Sequence, residues 1–189
     1  MNNVPSHLET ALTRLSQKSI GAVQNGQSLD VLNAYLHIER PIERKLKTKM
    51  AEIDEVGGGI VLLIGSAGDG KSHLISVVKK DGKWPDTSYY NDATSSYSPQ
   101  KTAVDTLVES LTDFSDAELD TTDNKLVLAI NLGKLNSLIE DNRVKQQYSR
   151  IVESVKSIFD GDGEPKESER IKVLMFPNEQ IFEFDADCE

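Results

Sequence analysis

Ile60-Val61-Leu62-Leu63-Ile64-Gly65-Ser66-Ala67-Gly68-Asp69-Gly70-Lys71-Ser72 is the stretch whose reading decides the fold. Its five consecutive aliphatic residues suit a strand buried on both faces, the environment of a parallel sheet. The eight residues from Gly65 have the spacing of a nucleotide-phosphate loop. A helix is expected from about residue 71, carrying Leu74, Ile75, Val77 and Val78. Lys79 and Lys80 fall in its last turn and Gly82 just beyond, as a helix end requires. Strand, glycine loop and helix in that order are the context that the motif needs.

The chemistry follows from charge. A triphosphate needs many donors converging on a small volume, and glycines let the backbone wrap closely around it. Loop amides then form an anion nest, and the helix N-terminus adds its positive dipole end. Lys71 is expected to reach the β- and γ-phosphates as a catalytic residue, and to face solvent until phosphate arrives. The Ser72 hydroxyl is expected to ligate Mg²⁺. The full contact set is Gly65, Ser66, Ala67, Gly68, Asp69, Gly70, Lys71, Ser72 and His73, with ATP and Mg²⁺ as ligands.

Hydrolysis also needs a second acid for the metal and a group that positions water. In the P-loop enzymes that include the AAA+ group, these stand at the end of the third core strand. That place holds Asn131, after Leu126-Val127-Leu128-Ala129-Ile130. An uncharged amide there weakens Mg²⁺ binding, so Asn131 is a catalytic candidate in place of an acid. Asp92, closing Tyr89-Tyr90-Asn91-Asp92, is the alternative metal acid, provided that its strand lies beside the loop strand. Asn178 is a candidate γ-phosphate sensor or a turn residue. GTP is disfavoured, because Asn124-Lys125 lacks the aspartate two residues on that a guanine-reading motif needs.

Outward from the loop, short apolar runs alternate with helical stripes. Tyr89 to Asp92, Leu126 to Ile130 and Ile171 to Phe176 supply three further strands. Ser98-Pro99 opens a helix with core residues Val104, Leu107, Val108 and Leu111. Residues 115–123 make an acidic loop. Val144, Tyr148, Ile151, Val152, Val155 and Phe159 predict one long amphipathic helix, and an acidic glycine-containing turn spans residues 161–169. This alternation predicts an α/β fold, a P-loop NTPase-type parallel sheet flanked by helices.

Upstream, residues 1–56 are expected to form an N-terminal helical segment, with residues 57–189 as the nucleotide core. Ser6 and Glu9 have capping-box spacing, with Leu8, Ala11, Leu12 and Leu15 as a stripe. Leu29, Leu32 and Leu36 form a second stripe. Pro41 opens a third helix that points Ile42, Leu46, Met50 and Ile53 inward.

With 189 residues and a formal charge of −10, the chain has room for one compact domain and a field that repels nucleic acid. Residues 40–49 are locally basic, but Glu43 can pair with Lys47 one turn on, which predicts a solvated helix face. Cys188 has no partner for an internal disulfide. His7, His37 and His73 lie in separate segments without metal-ligand spacing. No apolar run approaches the roughly 18 residues of a membrane span, and no secretory signal opens the chain, so the cytoplasm is expected.

Several segments together resemble the DptF component of the bacterial phosphorothioation-dependent restriction system. They are Leu36-His37-Ile38-Glu39-Arg40, the loop with its Gly-Asp-Gly-Lys-Ser-His-Leu-Ile ending, residues 91–99 and Ile130-Asn131-Leu132-Gly133-Lys134-Leu135, with a looser match over residues 173–184. The resemblance implies an ATPase subunit working with companion restriction subunits against DNA whose backbone lacks sulfur, and meeting DNA through that complex. It implies no membrane partner and no nuclease site here. Proteins of this kind continue beyond the fourth strand, so the resemblance also implies that this chain is an N-terminal piece, incomplete at its C-terminal side. Two alternatives stay open: a non-catalytic module whose ATP stabilises a docking surface, and a small-molecule P-loop kinase.

Overall fold

The computed structural model describes residues 39–91, 103–160 and 164–176. The expected helices within residues 1–38, the Ser98-Pro99 cap, Asp92 and Asn178 lie outside the described residues. In chain order the elements are α1 (Pro41–Glu55), β1 (Gly59–Ile64), α2 (Lys71–Asp81), β2 (Thr87–Asn91), α3 (Ala103–Ser110), β3 (Lys125–Ile130), α4 (Leu132–Glu140), α5 (Asn142–Gln147), α6 (Ser149–Asp160) and β4 (Ile171–Met175). A single 3₁₀ turn, Thr112–Phe114, follows α3.

The four strands form one sheet in the order β2-β3-β1-β4, with every pairing parallel. β1 sits in register with both neighbours, Leu62 lying opposite Leu128 on one side and Val173 on the other. All six residues of β1 are buried, as its unbroken aliphatic run requires. The protein is therefore an α/β fold with a parallel sheet flanked by helices.

Alternation along the strands divides the core into two layers. Ile60, Leu62, Ile64, Leu126, Leu128, Ile130 and Val173 face α3 to α6, meeting Leu107, Leu135, Leu138, Val144, Ile151 and Val155. Val61, Leu63, Val127, Ala129 and Leu174 face the opposite way. They meet Ile42, Leu46, Met50 and Ile53 of α1 and Leu74, Ile75 and Val78 of α2. Trp84, two residues past the Gly82 cap of α2, is 6% exposed and belongs to this second layer, with the Lys83 ammonium 4.9 Å from its ring centre.

α1 therefore belongs to the sheet's own core. The reading of the sequence had grouped it with the N-terminal segment. The compact unit that contains it starts at Glu39. Its basic stretch is tied to acids. Lys47 pairs with Glu43 at 2.9 Å and Asp81 at 3.4 Å, Lys49 with Glu167 at 2.5 Å, and Lys172 of β4 with Glu52 at 2.8 Å. Lys125 of β3 pairs with Asp54. The Glu43 hydrogen bond, opposed by burial and helped by the charges of Glu43 and Asp81, holds Lys47 above the usual lysine range.

The C-terminal half departs from the expected pattern. α4 begins one residue after β3, where no helix was expected. The long helix is two, α5 and α6, broken at Tyr148, whose φ of −132° and ψ of 40° leave the helical region. Asp116 caps the helix that starts after the break. Its carboxylate accepts from the amides of Ser149 at 2.7 Å and Arg150 at 3.0 Å, so these amides serve as the first turn of a new helix. Phe159, expected on the core face, is 38% exposed. Among the described residues, no helix is long and apolar enough to cross a membrane.

Candidate functional site

A parallel sheet carries the carboxyl ends of all its strands to one edge, and the glycine loop leaves that edge at its centre. The Gly65 amide donates to the Ile130 carbonyl at 3.3 Å, and the Phe176 amide donates to the Ile64 carbonyl at 2.9 Å. The start of the loop is thus fastened between the ends of β3 and β4. Ser66, Ala67 and Gly68 form an exposed tip. The chain then turns through Gly70, whose φ of +92° and ψ of 19° make it the N-cap of α2. A side chain at that φ is strained, so the turn calls for glycine.

Gly65 is required for a different reason. A Cβ there would lie 2.7 Å from an Asp69 carboxylate oxygen and 3.0 Å from the Phe176 Cβ. The same Asp69 oxygen accepts from the Ser66 amide, and the Asp69 amide donates to the Ser66 carbonyl at 3.4 Å. Asp69 therefore braces the loop across its own chord, and Gly65 leaves the room for it.

Lys71 was expected to face solvent. Instead it is 9% exposed, and its ammonium donates to the Gly65 carbonyl at 2.8 Å and the Ser66 carbonyl at 2.6 Å. The physical reason is desolvation. An ammonium at the positive end of a helix dipole, partly shielded from water, takes the nearest acceptors, and the loop carbonyls supply them. The cation is held at the loop mouth. His73, in the first turn of α2, is exposed.

Two residues that the sequence did not single out for the site also meet this loop. Arg40, the N-cap of α1, donates to the Asp69 carbonyl at 3.5 Å, and its guanidinium lies 5.8 Å from the Phe176 ring centre. Its terminal nitrogens stand 3.3 Å from where a Gly70 Cβ would be. Asn91, the last residue of β2, donates from its side-chain amide to the Ser72 hydroxyl at 2.7 Å. Neither residue stands near the loop in sequence, so only the folded sheet brings them there.

The two acid-position candidates fare differently. Asn131 lies beside the loop, directly after the Ile130 carbonyl that receives the Gly65 amide. Its side-chain oxygen is committed to the Lys134 amide at 2.9 Å as the N-cap of α4. Asp92 itself lies outside the described residues. Its strand does not adjoin the loop strand, because β3 lies between β1 and β2. That adjacency was the condition set for Asp92, yet Asn91 reaches Ser72 anyway, because α2 packs against β2 as well.

The loop offers an anion a set of donors: the first-turn amides of α2, which have no side-chain cap, with the Lys71 ammonium and the Arg40 guanidinium nearby. Among the described residues no group of three or more His, Cys, Asp or Glu side chains is arranged to hold a metal. The Ser72 hydroxyl, in the first turn of α2, is an oxygen ligand beside the loop. Family models, curated proteins and solved structures yield no match to this chain.

Proposed function

We propose that residues 65–73 hold the polyphosphate of ATP and that Ser72 contributes a ligand to the accompanying Mg²⁺. The observation that carries this reading is the Lys71 ammonium, fixed by two loop carbonyls at the mouth of an uncapped helix N-terminus. On this reading the finer fold is that of a P-loop NTPase. The carbonyls position the ammonium before any ligand arrives, so little side-chain entropy is lost on binding. The α2 amides orient the β-phosphate, and the Asp69 brace keeps the loop open in that shape. When bound, Mg²⁺ would supply charge neutralisation across the β- and γ-phosphates.

The resemblance carries the wider reading: an ATP-binding, ATP-hydrolysing subunit of a phosphorothioation-dependent DNA restriction complex, acting with companion subunits and meeting DNA through them. Calorimetric titration of the protein with ATP tests the site. Binding that disappears in Lys71→Ala supports it, and equal affinity in both proteins refutes it. A second reading, an ATP-dependent docking module without turnover, is favoured by the amide at the expected acid position, Asn131, whose oxygen is committed to the Lys134 amide. Phosphate release by the assembled complex separates the two, since the docking module releases none.

A further inference from the structure

We infer that Asn91 is a positioning residue that sets how strongly this site depends on a divalent cation. The inference rests on the nucleotide reading above and concerns one contact, the 2.7 Å hydrogen bond from the Asn91 amide to the Ser72 hydroxyl. That hydroxyl belongs to the residue assigned to the metal.

A serine hydroxyl has one donor and two lone pairs. In the observed arrangement one lone pair takes the Asn91 N–H. A cation on the remaining lone pair polarises the O–H bond, and the hydroxyl proton then needs an acceptor. It also places positive charge beside an N–H dipole aimed at the same oxygen. A half-turn of the Asn91 amide about its last torsion removes both difficulties, because Oδ1 replaces Nδ2 and accepts the hydroxyl proton. Asparagine therefore serves Ser72 with and without metal. An aspartate at this place also accepts the hydroxyl proton, but its charge favours a bound cation and repels a metal-free polyphosphate.

The placement is specific to this fold. β2 lies two strands from β1, but the first turn of α2 comes within reach of its carboxyl end. A neutral amide at this point narrows the gap between metal-bound and metal-free nucleotide affinity. Partners one step removed from a metal typically alter its affinity by about 10–100-fold.

The test is the ratio of ATP affinity in Mg²⁺ to that in EDTA, measured by titration calorimetry on the full chain. Asn91→Asp is expected to raise the ratio by about tenfold or more, through tighter binding in Mg²⁺ and weaker binding in EDTA. Asn91→Ala, which removes donor and acceptor together, is expected to lower it. A purely structural role moves both affinities in step and leaves the ratio unchanged in both variants, and that result overturns the inference. If Asn91→Asp does not fold, the direction of the ratio in Asn91→Ala decides. Wild-type protein that binds ATP in neither buffer overturns the nucleotide reading itself. Binding with an invariant ratio overturns only the role of Asn91.

Discussion

Strands β1 and β3 lie side by side and run the same way, yet they pass the chain to their helices in opposite fashion. β3 needs one residue, Asn131, whose side-chain oxygen takes the Lys134 amide and closes the first turn of α4. β1 uses six residues, ends them on a glycine at positive φ, and opens α2 with no side-chain cap. α5 and α6 resemble α4. Asp141 caps the first through Arg143, and Asp116 caps the second from a distant loop. The starts of α4, α5 and α6 are thus filled by side-chain oxygens, whereas α1 and α2 have no side-chain cap. At α2 the chain instead enters the helix through a glycine at positive φ and sets the Lys71 ammonium against the loop carbonyls.

The contrast can be broken most severely at Lys71. Lys71→Ala is expected to lower ATP affinity by at least about 100-fold, since it removes about 3 kcal/mol of charge-assisted contact. Its thermal midpoint is expected to fall as well, because the buried Gly65 carbonyl and the Ser66 carbonyl lose their donor. Gly65→Ala comes next. Its Cβ collides with the Asp69 carboxylate and Phe176, so the brace must shift. The expected cost is about 1–3 kcal/mol of stability, read by urea denaturation, with weaker ATP binding.

Asn131→Ala tests the closed end. Loss of that cap is expected to cost about 1 kcal/mol in urea while leaving ATP affinity within experimental error. A large loss of affinity there would instead give Asn131 a direct part in the site. The smallest effect concerns Asp116. Burial raises its carboxyl, but hydrogen bonds from Ser149 and Arg150 and the Arg150 charge together outweigh burial and hold it below the ordinary range. A carboxylate depressed on folding stabilises above its unfolded value, about 3.9, and that contribution fades as pH falls through the folded value. Asp116→Asn is therefore expected to be less stable than wild type at neutral pH, by under about 1 kcal/mol, with the difference vanishing in strong acid. Denaturant midpoints across pH measure it.

What could be seen in advance follows from how local each signal is. β1 and β3 were legible to within one residue because unbroken aliphatic runs mean burial on both faces wherever they lie. The start and end of α2 were legible from Lys71, Lys79, Lys80 and Gly82 for similar reasons. α4 was missed, since its cap follows the strand directly and leaves no loop to signal a boundary. The break at Tyr148 was invisible to periodicity, because Val144, Tyr148, Ile151 and Val155 keep helical spacing across it. The contacts that mark the new start come from Asp116, far away in sequence. Arg40 and Asn91 escaped notice in the same way. Their importance comes from the strand order and the packing of α1 and α2, which no window of sequence contains.

Trp84 is the chain's one indole, and its position makes it a built-in optical probe of a single side of the sheet. Emission shifting to the red as it meets water reports the loosening of α1, α2 and the strand faces beneath them. The far-side layer, which holds Tyr148 and Phe114, is silent in that signal. Far-UV ellipticity, by contrast, samples helices on both sides. Superposed melting curves from the two signals would mark a single cooperative unit, whereas an earlier fluorescence transition would mean that the loop-bearing side gives way first.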